Sequence, residues 1–96
     1  MPAKIDRRYA RRFPNRQWWL RPASAQERQE QFRGRSVEGW HPCLVVGRAG
    51  DKFVSMPFFA SSPDVADISD DEAAITAANV GTALLDGEMP YIEIRR

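Results

Sequence analysis

Residues 41–59, HPCLVVGRAGDKFVSMPFF, constrain the fold more than any other stretch of this chain. Two apolar runs rich in β-branched and aromatic residues flank RAGD, with Gly50 placed for a tight turn, so the segment predicts a β-hairpin. Pro42 and Pro57 stand towards the outer ends of its strands, which suggests edge positions or bulges, because proline cannot donate to a central ladder.

The flanking segments supply further elements. Before the hairpin, RQWWLR (residues 16–21) reads as a strand whose period of two sends Trp18 and Leu20 one way and Gln17, Trp19 and Arg21 the other. SAQE from Ser24 to Glu27 matches a capping box, predicting a helix to about Arg33 that Gly34 stops. That helix is polar nearly throughout, with Ala25 and Phe32 its main apolar residues. After the hairpin, SDDE from Ser69 to Glu72 is a second capping pattern. The helix it opens runs from Asp70 to about Leu85, with Ala73, Ala77, Val80 and Leu84 on one stripe, Ile75 beside it, and Gly87 as terminator. PYIEIRR alternates, with Ile92 and Ile94 on one face and Tyr91 and Glu93 on the other, and reads as a last strand. At the other end Ile5, Tyr9 and Phe13 recur at helical spacing among arginines. Residues 4–13 therefore predict a short basic amphipathic helix that Pro14 and Asn15 end.

The order is an N-terminal helix followed by β-α-β-β-α-β. That order is expected to fold as an α+β, ferredoxin-like antiparallel sheet with both helices on one face, or as a rolled half-barrel built from the same elements. At 96 residues the chain is expected to be a single domain, with residues 1–15 as the basic helix and 16–96 as the α+β core. Ile, Val, Leu and Phe make up only 20 residues, but a net charge of +1 and three tryptophans argue for a folded, aromatic-rich core.

The near-zero net charge hides an asymmetry. Residues 1–48 carry a net +7 and residues 49–96 a net −6. RRYARRFPNRQWWLR, residues 7–21, holds six arginines and four aromatics, whereas Asp64 to Glu93 holds eight acidic residues and no lysine or arginine. What matters for a partner is how these two sets are arranged in space, since a nucleic acid responds to a local basic face.

Chemistry-bearing constellations are sparse. His41 and Cys43 share one face of a predicted strand, but no second histidine exists, and nothing marks a group to orient the imidazole. A buried strand cysteine is ordinarily inert. Asp64, Asp67, Asp70, Asp71 and Glu72 form the one carboxylate cluster; their spacing does not match an EF-hand loop, and helix capping with solvation accounts for the last three. P-loop, dinucleotide-binding, nucleophile-elbow and paired-cysteine zinc patterns are absent. The expectation is a protein that is not an enzyme and carries no cofactor or metal. A lone cysteine and the lack of a signal-peptide pattern favour the cytoplasm, and no apolar run approaches the roughly 20 residues that span a bilayer.

Binding is then the expected work, with a protein or nucleoprotein complex as partner that this chain occludes or bridges. Arg7, Arg8, Arg11 and Arg12 form one candidate surface, and Asp64, Asp67, Asp70 and Asp71 the other. Carboxylate-rich edges can occupy the basic grooves of nucleic-acid-binding proteins. In size, charge and lack of catalytic groups the chain is analogous to small inhibitors of phages and mobile elements, anti-CRISPR proteins among them. The alternative is direct binding of RNA or single-stranded DNA through Arg16, Trp19 and Arg21 with the basic helix, Trp18, Trp19 or Phe53 offering rings on which bases stack. The third-strand segment DKFVSMPF departs from the RNA-recognition-motif pattern, having no glycine after Lys52 and Ser55 where a second aromatic belongs. Against both readings, the arginines can turn inward to the acidic stretch as a solvated, self-compensating pattern.

Overall fold

The computed structural model describes residues 17–49 and 51–94. In chain order the elements are β1 (Gln17–Pro22), α1 (Ala25–Phe32), β2 (His41–Ala49), β3 (Lys52–Ala60), α2 (Asp70–Leu85) and β4 (Tyr91–Ile92). The expected helix over residues 4–13, and with it Arg7, Arg8, Arg11, Arg12 and Arg16, lies outside the described residues.

The class is α+β, but the sheet is not the ferredoxin-like one. Its strands run β1-β2-β3-β4, with β1–β2 and β2–β3 antiparallel and β3–β4 parallel, so no strand is interleaved between β3 and β4. Nor do the helices share a face. The even residues of β1 and β3 and the odd residues of β2 build one core with α2: Leu20, Cys43, Val45, Met56, Phe58 and Ala60 meet Ala73, Ala77 and Val80, with Trp18, Ile92 and Ile94 packed at its margin. The opposite face carries a second core of Leu44, Val46 and Phe59 under Phe32 of α1, flanked by Val37, Trp40 and Met89.

The cause is visible in β2. Cys43 and Val45 on one face, and Leu44 and Val46 on the other, are all buried, so both faces of this strand need cover and both its edges take a partner. The 16-residue α2 then spans the first face as a crossover, which is what brings β4 back parallel to β3.

Local signals shape the element ends. Ser24 closes a complete capping box: its hydroxyl accepts from the Glu27 N–H at 3.2 Å, and the Glu27 carboxylate accepts from the Ser24 N–H at 2.9 Å. Arg33 ends α1 in the left-handed region at φ 54°, followed by Gly34 at φ 71°. Only half of the second box forms, the Ser69 hydroxyl accepting from the Glu72 N–H at 3.3 Å. The Phe59 and Ser61 N–H groups donate to carbonyls of the β4 segment, so the odd residues of β3 turn their backbone groups outward. Pro57 is one of them. Its missing N–H therefore falls on the length of edge that β4 does not reach. Pro42 is instead in a central strand, tolerated because β1 ends opposite Cys43.

Candidate interaction surface

On the face that α1 shares, Phe32 covers Leu44, Val46 and Phe59. At the covered end, Phe59 lies between the Phe32 ring, edge-on at 5.1 Å, and the Tyr91 ring, stacked at 5.2 Å with 17° between planes. Arg35 lies 5.9 Å above Phe59 and donates to the Tyr91 hydroxyl at 3.1 Å, while Trp40 meets Tyr91 edge-on. These contacts fix where α1 sits.

Arg21 marks the border. Its two terminal nitrogens each donate to a Glu27 carboxylate oxygen at 2.7 Å, tying β1 to the first turn of α1. The paired guanidinium, aided by the Ser24 backbone N–H, holds the Glu27 carboxyl at about 2, well below its ordinary value; the same bonding raises Arg21. Arg21 was expected among nucleic-acid contacts, and the structure gives its guanidinium a carboxylate partner within the chain.

Beyond that border the side chains around the buried Val46 are exposed. Strand register aligns Gln17, Arg48 and Phe53 in one row and Trp19, Val46 and Ser55 in the next. Phe53 is 61% exposed and Trp19 38%, and their rings meet edge-on, with centroids 6.2 Å apart. The Arg48 guanidinium lies 5.4 Å from the Phe53 ring centroid. Trp19 thus faces away from the α2 core, whereas its neighbour Trp18 packs at the margin of that core. Arg48 escaped the sequence reading. The signal was there in the hairpin: pairing Ala49 with Lys52 sets residue 48 opposite residue 53.

The acidic set occupies a different place. Asp64, Asp67, Asp70 and Asp71 are all exposed, in the connection after β3 and the first turn of α2, the helix on the other side of the sheet. A groove of about 330 Å³ lined by Gln17, Trp18, Trp19, Asp70 and Ala74 runs between β1 and that helix. Among the described residues, no group of three or more His, Cys, Asp or Glu side chains is arranged to hold a metal ion. Cys43 is fully buried, and burial pushes its thiol up to about 11. Among the described residues, no helix is long and apolar enough to cross a membrane.

Comparisons with protein-family models, curated proteins and solved structures give no match.

Proposed function

We propose that the chain is a small non-catalytic binding protein that occludes or bridges a macromolecular partner, a protein or nucleoprotein complex. One observation carries this reading: two large aromatic rings, Trp19 and Phe53, stand exposed beside Arg48 on the side of the sheet that carries α1. Tryptophan and arginine are the residues that most often carry binding energy at interfaces. Leaving such rings partly in water has no benefit to the folded chain, since covering what is still exposed would contribute part of the roughly 1.5–3 kcal/mol that full burial of a large apolar side chain brings. The exposed carboxylates Asp64, Asp67, Asp70 and Asp71 give a second surface of opposite character, which is what bridging requires.

The test is a tagged pull-down from lysate of the source organism with the wild-type chain, a Trp19→Ala/Phe53→Ala variant and a variant with all four aspartates changed to lysine. The expected result is a macromolecule retained by the wild type and lost by at least one variant that still melts cooperatively. Nuclease treatment sorts protein from nucleic acid. Recovery that neither variant changes would overturn the proposal.

A further inference from the structure

We infer that the exposed patch of Trp19, Arg48 and Phe53 binds a single strand of RNA or DNA, with bases stacked on Trp19 and Phe53. The inference rests on the binding reading above and takes the nucleic-acid strand of a nucleoprotein complex as what this patch contacts.

Size argues first. The two ladder rows span about 10 Å by 7 Å from ordinary strand spacing, with Trp19, Arg48, Phe53 and Ser55 exposed around the buried Val46. A platform for one or two bases is the size that fits, because each base needs only one ring face.

Charge argues next. The two rows, Gln17–Arg48–Phe53 and Trp19–Val46–Ser55, contain one cation, two neutral hydrogen-bonding side chains and two aromatic rings but no carboxylate. The exposed aspartates of the 64–71 segment belong to the α2 side of the sheet. Gln17 and Trp19 also line the groove that holds Asp70, so a strand is better placed towards Arg48 and Phe53 than along that groove.

Connectivity argues last. Gln17, in the same row as Phe53, is joined directly to residues 1–16, which hold Lys4, Arg7, Arg8, Arg11, Arg12 and Arg16 against the single acid Asp6. Base-stacking rings and phosphate-neutralising charge are therefore tethered to each other by the chain itself, and that pairing is the combination single-strand binders use.

The experiment is fluorescence anisotropy with the full chain and labelled oligouridine and oligothymidine of about fifteen nucleotides, beside a duplex of equal length. Both single strands, or one of them, should bind more tightly than the duplex, and affinity should fall steeply between about 50 and 200 mM salt. Phe53→Ala should weaken single-strand binding about tenfold and Trp19→Ala/Phe53→Ala about a hundredfold. Trp19→Phe keeps a ring and should retain most of the binding, so a loss caused by misfolding is separable, with circular dichroism as the check. Equal binding of duplex and single strand that ignores the ring substitutions would overturn the inference, leaving only the charge of the arginine segment. Absence of strand binding, with a protein lost from the pull-down by the same double variant, would also overturn it while leaving the proposed function standing.

Discussion

Glu27 does two jobs with one carboxylate, capping α1 and holding Arg21. Because its folded-state value of about 2 lies below the ordinary 4.5, the stabilisation is complete above about pH 4.5 and is lost as pH falls towards 2. Glu27→Gln should therefore lower stability by about 1 kcal/mol at neutral pH. The gap to wild type should close on acidification, as read by urea unfolding at a series of pH values. A gap independent of pH would mean that the carboxylate's charge is not what matters. Cys43 behaves oppositely: with its thiol shifted to about 11 and no exposed surface, it should resist a thiol reagent at pH 8 and react only when the chain unfolds. Rapid labelling of the native protein would show that β2 opens locally. Residue by residue, the facing of β1 was legible in advance, since Trp18 and Leu20 against Trp19 and Arg21 needs only the period of two. The Arg21–Glu27 bond was not legible, because it joins a strand to a helix cap across a turn whose path the sequence leaves open.

At the scale of elements, α2 spans the residues its pattern predicted, and α1, β2 and β3 differ from expectation by a residue or so. Capping chemistry and proline placement are local and therefore readable. The last strand is shorter than its alternation implies, at Tyr91–Ile92, although Ile94 still donates its N–H to the Ser61 hydroxyl at 2.8 Å. What the elements hold on to was less readable. Phe59 is the anchor of the α1 side, fully buried among Phe32 and Tyr91. Phe59→Ala should cost about 3–5 kcal/mol, visible as a large fall in denaturant midpoint. Phe53→Ala, in the same strand and on the same face, should change stability by less than about 0.5 kcal/mol, since its ring is mostly in water.

For the whole molecule, the sheet order and the sides of the helices departed from expectation for one physical reason. CLVV and the closing PFF of β3 are unbroken apolar runs, the mark of strands buried on both faces, whereas a sheet with both helices on one side calls for alternation. That mark belongs to the sequence, but the β-α-β-β-α-β order points elsewhere and is shared by more than one topology. Of the two charged sets, the described one, Asp64, Asp67, Asp70 and Asp71, is exposed in the connection after β3 and the first turn of α2. The aromatic patch became visible only when hairpin register set Arg48 beside Phe53 and the Trp19 ring met that of Phe53.

The two helices are attached very differently. Six residues of α2 are buried against the sheet, while α1 buries Phe32 alone and is otherwise held by the Arg21 pair at its start. The molecule should then come apart in stages: amides of α1 should exchange with solvent through openings far cheaper than global unfolding, while those of β2 exchange only with the whole domain. Each such opening would bare Leu44 and Phe59 next to Trp19 and Phe53, turning a small patch into a continuous apolar sheet face. Helix α1 thus sets how much of that face the surroundings ever encounter.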